Sequence, residues 1–195
     1  MTGSAGAIPG IILAGGAARR MGGGDKGLLE LGRGTVLDSV IARLGPQVDA
    51  LAINANGDPV RFAHLGLPVL PDGVADRPGP LAGILAAMRW GAGRGAARVA
   101  TVAADTPFLP GDLIARLAAR PGLVLAASPG GRHPTFGLWP TDLADDLESA
   151  LGQGVRKVVA FCDRAGWSVA AFPEDGAFFN VNTPEDLAEA RRRCA

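Results

Sequence analysis

The stretch Ile8-Pro9-Gly10-Ile11-Ile12-Leu13-Ala14-Gly15-Gly16-Ala17-Ala18-Arg19-Arg20-Met21-Gly22-Gly23-Gly24-Asp25-Lys26-Gly27-Leu28-Leu29-Glu30-Leu31 decides how this 195-residue chain is read. A short apolar strand, Ile11 to Leu13, runs into a loop that carries five glycines, two arginines and one lysine by the time it reaches Lys26. Glycine lets backbone N–H groups approach an anion closely and point at it. Arg19, Arg20 and Lys26 add positive charge. A strand feeding such a loop suits the holding of phosphate groups. The loop is neither of the two common phosphate motifs. Lys26 is followed by Gly27 rather than Ser or Thr, and no G-x-G-x-x-G follows the strand. A P-loop ATPase and a dinucleotide-binding dehydrogenase are therefore both disfavoured.

Outside this stretch the composition narrows the partners. Nineteen basic residues balance nineteen acidic ones. That balance argues against nucleic acid or a membrane surface as the partner, because both call for a basic excess. The positive cluster at residues 19–26 is local and suits a small anion. The length fits one α/β domain with a sizeable core. We read that domain as residues 8–195, preceded by a disordered segment at residues 1–7. Cys162 and Cys194 match neither a zinc spacing nor a redox pair. No basic leader precedes the apolar run from Ile11 to Ala14, which is too short to span a bilayer. A soluble, cytoplasmic protein is the expectation.

Beyond the opening strand, apolar runs alternate with helical patterns. Thr35, with Asp38 three residues on, predicts a capped helix bearing Val36, Leu37, Val40, Ile41 and Leu44 on one face. Leu51 to Asn54 reads as a strand ending in polar residues, with Asn56 just beyond. Leu67 to Asp72 reads as a short strand placed near an edge by its prolines. A helix is predicted from Gly79 to Trp90. Arg98 to Asp105 is the clearest buried strand, almost wholly apolar and ending on an acid. A helix from about Gly111 to Ala119 follows, then strands at Leu123–Ala127 and Thr135–Trp139. Thr141 is predicted to cap a helix through Leu151, and Val155–Asp163 to be helical. Trp167–Phe172 reads as a late strand, and Thr183-Pro184 as the start of a closing helix. Such alternation predicts a mostly parallel sheet with helices on both faces. Ligands then sit at the carboxyl ends of the strands, where Asn54, Asn56, Asp72 and Asp105 fall.

At this point a resemblance enters. Leu13-Ala14-Gly15-Gly16-x-x-x-Arg20-Met21-Gly22-x-x-x-Lys26 resembles the signature loop of nucleotidyltransferases that activate sugars, isoprenoid precursors and cofactors. Among these the chain is most similar to the molybdenum cofactor guanylyltransferases. Supporting matches are Ile53-Asn54-Ala55-Asn56, Gly79-Pro80-Leu81-Ala82-Gly83, Asp105-Thr106-Pro107, Arg132-His133-Pro134, Arg156-Lys157-Val158 and Asn180-Val181-Asn182-Thr183-Pro184-Glu185-Asp186-Leu187. One departure is Ala104, where the family often has Cys before Asp-Thr-Pro.

The resemblance implies a three-layer Rossmann-like nucleotidyltransferase fold of GT-A type with a mostly parallel central sheet. It also implies transfer of GMP from GTP to the terminal phosphate of molybdopterin, with Mg²⁺ as cofactor and pyrophosphate leaving. Transient contact with molybdoenzymes or their chaperones is a further implied partnership. By residue, Leu13, Ala14, Gly15, Lys26, Asn54, Asp72 and Asp105 are expected on the nucleotide. Lys26, Arg20 and Asp105 are expected to carry catalysis, with Asp105 as metal ligand; the bland reading of Asp105 is a turn acid. Asp72 is expected on the guanosine, its contact to base or ribose left open. Asn180, Asn182 and His133 are expected near the acceptor. Asn182 is also weighed as a metal ligand or a cap of the last helix, and His133 as a structural histidine. Arg156 and Lys157 are weighed between the pterin phosphate and a solvated helix face. Use of CTP, a sugar 1-phosphate acceptor, and a non-catalytic nucleotide-binding role remain the alternatives.

Overall fold

The computed structural model describes residues 6–15, 26–73 and 79–194. In chain order its elements begin with strand β1 (Gly10–Leu13), the short strands β2 (Glu30–Leu31) and β3 (Gly34–Thr35), and helix α1 (Val36–Leu44). Strands β4 (Leu51–Asn54) and β5 (Val69–Leu70), helix α2 (Pro80–Gly93), strand β6 (Arg98–Ala103) and helix α3 (Leu113–Ala118) follow. Strands β7 (Val124–Ser128) and β8 (Gly131–Pro140), helices α4 (Ala144–Gly152) and α5 (Val158–Ala165), strand β9 (Ser168–Ala171) and helix α6 (Pro184–Cys194) complete the chain.

The central sheet has seven strands in the order β5-β4-β1-β6-β8-β7-β9. β5, β4, β1 and β6 pair in parallel, and β7 pairs in parallel with β9. Only β8 runs the other way, between β6 and β7. The predicted parallel sheet is thus observed, with one reversed strand. One sheet face carries α1 and α3 on a core that includes Ile12, Val40, Ile53, Val102 and Leu113. The opposite face carries α2, α4 and α5 on Ile11, Leu85, Met88, Trp139 and Phe161. Successive β1 residues Ile11 and Ile12 therefore feed opposite cores, as the two-residue strand period requires. In a third cluster, Leu31 and Val36 meet Val181, Leu187 and Ala190, which docks α6 against β2 and the start of α1.

The predicted cap of α1 is present. The Thr35 hydroxyl accepts the Asp38 N–H at 3.1 Å while the Asp38 carboxylate accepts the Thr35 N–H at 2.7 Å. β5 lies at the sheet edge, where its flanking prolines cost no ladder bond.

Two local expectations are corrected. β8 begins at Gly131, four residues before the predicted Thr135. Pro134 hides the early part, yet it is tolerated because the register slips there. Leu125 faces Gly137 while Ala126 faces His133, so residues 134–136 arch out and need no ladder N–H. Thr141 does not cap α4, whose N-cap is Leu143. Its hydroxyl instead donates to the Ala96 carbonyl at 2.8 Å, tying the start of a short 3₁₀ turn to the approach of β6.

Candidate active site

Parallel pairing brings the carboxyl ends of β5, β4, β1 and β6 to one edge of the sheet. A cleft of about 410 Å³ opens there, lined by Leu13, Ala14 and Gly15 after β1, Asn54 and Asn56 after β4, and Asp72 after β5. Lys26, Gly79, Pro80 and Asp105 complete its polar and backbone lining, with Thr135 from β8 beside them. Every sequence-predicted nucleotide residue therefore lines this one cleft. Arg20 and its neighbour Arg19 lie outside the described residues.

At one end of the cleft Lys26 is held from across the chain: its ammonium donates to Asn182 Oδ1 at 2.5 Å. Asp105 stands two residues past the end of β6. Burial pushes its carboxyl above the usual range, while the nearby Lys26 charge and the Thr106 hydroxyl pull the other way. A desolvated carboxylate facing a lysine is the arrangement by which proteins tune groups in functional clefts.

The 180–183 segment closes this end. The Val181 N–H donates to the Asp105 carbonyl at 2.8 Å. The Thr106 hydroxyl donates to Asn180 Oδ1 at 2.5 Å. The Asp186 carboxylate accepts the N–H groups of Asn182 and Thr183, both at 2.9 Å, so the first turn of α6 fixes the segment. Asn180 and Asn182 thus brace Thr106 and Lys26, and the capping reading weighed for this turn falls to Thr183 and Asp186.

At the other end the Asp72 carboxylate is clamped. Asn54 Nδ2 donates to its Oδ1 at 2.9 Å and Asn56 Nδ2 to its Oδ2 at 2.7 Å. The Asp72 N–H returns a bond to Asn56 Oδ1 at 2.9 Å. Asn54 is almost wholly buried, and its second amide bond reaches the Leu70 carbonyl at 3.1 Å. This close fit explains Gly83 on α2, because a Cβ there would stand 2.2 Å from Asn54 Oδ1. Gly79 precedes α2 at φ +126°, a conformation that side-chain-bearing residues rarely adopt, and brings backbone to the cleft wall.

His133 stands two residues before Thr135 on β8 and does not line the cleft. Its ring stacks on Phe178 at 3.9 Å, and its Nε2 lies 2.7 Å from Ser128 Oγ. Ser128 and the Gly130 N–H hold the Asp175 carboxyl below its usual range. The hydroxyl therefore stands between imidazole and carboxylate, whereas a nucleophilic triad places the imidazole in the middle. This cluster ties the β7–β8 hairpin to the turn leading to Asn180. Arg156 donates to the Leu151 and Val155 carbonyls at 3.0 and 2.9 Å. The sequence places Asn56 at the ligand edge, but its bonds to Asp72 are not foreseen there. Its partner Asp72 lies 16 residues away, so only its place just past a strand end hinted at the site.

Comparison with known proteins agrees with this fold. A family model described as MobA-like NTP transferase domain matches residues 10–166. The chain is similar to a molybdenum cofactor guanylyltransferase of Mesorhizobium japonicum, 52% identical over 95% of either chain. A protein of the same description from Cereibacter sphaeroides is 53% identical over 93% of this chain and 94% of its own. Among solved structures, molybdopterin-guanine dinucleotide biosynthesis protein A of Archaeoglobus fulgidus superposes with a TM-score of 0.74 at 25% identity, over 96% of this chain and 98% of the other.

Proposed function

Because the chain belongs to the molybdenum cofactor guanylyltransferases of the MobA-like NTP transferase family, we propose that its cleft transfers GMP from GTP to the terminal phosphate of molybdopterin. In this reaction a molybdopterin phosphate oxygen forms a bond to the α-phosphorus of GTP. The bond from that phosphorus to the oxygen bridging to the β-phosphate breaks, and pyrophosphate leaves with the electron pair. The observation that carries the reading is that Lys26, Asp105, Asn54 and Asp72 converge with the backbone of residues 13–15 on one cleft at the strand ends.

A phosphate nucleophile is already anionic at neutral pH, so no general base is called for. The barrier is repulsion between two polyanions. Lys26 neutralises charge as it grows on the departing pyrophosphate, and it does so from a position fixed by Asn182. Arg20 adds a second cation by its place in the sequence, and the Gly15 N–H is a donor for the triphosphate, the Ala14 N–H being committed to the Asn54 carbonyl at 2.8 Å. Asn54 and Asp72 engage the guanosine.

The donor set fits Mg²⁺. Asp105 offers a hard oxygen, and no cluster of three or more His, Cys, Asp or Glu side chains able to hold a metal occurs among the described residues. Mg²⁺ characteristically takes one or two carboxylates together with substrate phosphates and water. Asp105 would hold it, and when bound the ion supplies charge neutralisation across the phosphate oxygens.

The reading is tested by incubating the purified protein with molybdopterin, Mg²⁺ and each nucleoside triphosphate in turn. Pyrophosphate release is expected with GTP and to depend on the metal. Release with CTP alone, or with none of the four, overturns it.

A further inference from the structure

Asn56 is exposed, has no charge and lies beyond the end of β4, yet its side chain makes two directed bonds to a single residue. The network allows its amide only one orientation. The Asp72 N–H is a donor, so it must face Oδ1; the carboxylate accepts, so it must face Nδ2. The same logic orients Asn54, whose two N–H groups go to the Leu70 carbonyl and to Asp72 Oδ1. Each Asp72 oxygen thus receives one amide donor from the protein. An ionised carboxylate has about four lone-pair positions, so one per oxygen is left for a ligand. The backbone of Asn56 is itself anchored, since the Arg61 guanidinium donates to its carbonyl at 2.6 Å.

Resting on the reading of the cleft as a GTP site, we propose that Asn56 is a positioning residue that sets base specificity. It holds the Asp72 carboxylate so that its two remaining acceptor positions meet the two parallel donors of guanine, the ring N1–H and the exocyclic amine. Cytosine and adenine present an acceptor in that edge and leave the pair unsatisfied. A ribose diol also carries two donors, but the cleft that holds Asp72 is also lined by the apolar Leu13 and Pro80, which suit a flat heteroaromatic ring better than a sugar.

The test compares binding of GTP, ITP (which lacks the exocyclic amine) and 2′-deoxy-GTP by calorimetry in wild type, Asn56→Ala and Asn56→Asp, with the Tm of each protein measured alongside. Wild type is expected to bind GTP more tightly than ITP and to treat 2′-deoxy-GTP like GTP. Asn56→Ala should weaken GTP by roughly tenfold, the size of one charge-assisted hydrogen bond, and shrink the GTP-over-ITP preference. Asn56→Asp, though isosteric, should bind GTP still more weakly, because it sets a second carboxylate against Asp72. A wild type that loses 2′-deoxy-GTP but not ITP overturns the proposal in favour of ribose contact. Variants with lowered Tm and an unchanged GTP-over-ITP ratio overturn it in favour of a purely structural role. Wild type that binds GTP without releasing pyrophosphate removes the proposed reaction and leaves the base-specificity result to be read from the binding constants. Wild type that binds no GTP removes both.

Discussion

Lys26 is pinned by an uncharged amide oxygen and faces a carboxylate that burial has made costly. The Asp186 carboxylate also feels the Lys26 charge, so three groups of the cleft end hold this cation in place. Lys26→Ala is expected to lower kcat/KM by roughly a hundredfold, about 2.7 kcal/mol of transition-state stabilisation, measured by pyrophosphate release. The Asp105 carboxyl titrates higher folded than its unfolded value of 3.8. The folded chain then binds the extra proton, so stability is lost as pH rises above that value. Asp105→Asn removes the cost and is expected to raise Tm at neutral pH in chelator while abolishing turnover. An unchanged or lower Tm by calorimetry would count against a desolvated carboxylate. His133 runs in the opposite sense. Burial pushes its imidazole below 6.5, with Asp175 opposing. The unfolded chain takes up the proton more readily, so the stability held above that pH is lost as pH falls through and below it. His133→Gln should flatten the fall of Tm with acid; an equally steep fall in the variant would assign it elsewhere.

At the scale of elements, α2 meets the cleft through a position that tolerates no side chain. Alanine at a buried helical site ordinarily stabilises by about 1 kcal/mol over glycine, but at Gly83 its Cβ would collide with Asn54. Gly83→Ala is expected to raise the KM for GTP at least about tenfold and to lower Tm. Asn54→Ala by itself forfeits the bonds to Leu70 and Asp72, so it should cost less Tm in the Gly83→Ala background than in wild type, and equal losses in thermal melts would place the clash elsewhere. The elements legible in the sequence were those whose signals are local. The Thr35–Asp38 box, the apolar run of β6 and the prolines around β5 each announce themselves within a few residues. β2 and β3 were not legible, because two residues apiece are too few to show alternation. Half of β8 was hidden by Pro134, whose acceptability depends on a register slip visible only once β7 is paired. The site divides in the same way. Lys26 is readable from the Gly-rich basic loop that follows β1 and Asp105 from its place just past β6, whereas the work of Asn56, Asn180 and Asn182 exists only in partners 16, 74 and 156 residues away.

For the whole molecule, β8 is the strand that turns the sheet from a nucleotide half, β5-β4-β1-β6, to a second half formed with β7 and β9. The cleft belongs almost wholly to the first half, and its walls are tied into both cores. Occupation should therefore stabilise the entire fold. At about a hundred times Kd, GTP is expected to add roughly 2.7 kcal/mol, a rise in Tm of roughly 5–10 °C. Differential scanning calorimetry with and without nucleotide checks this, and no shift at saturation would mean the ligand contacts a part uncoupled from global unfolding. The bond from Lys26 to Asn182 spans 156 residues, nearly the length of the chain. While the polypeptide is still being translated, its first loop emerges long before the segment that pins the lysine has been made. A chain released before residue 182 would therefore lack the contact that pins Lys26.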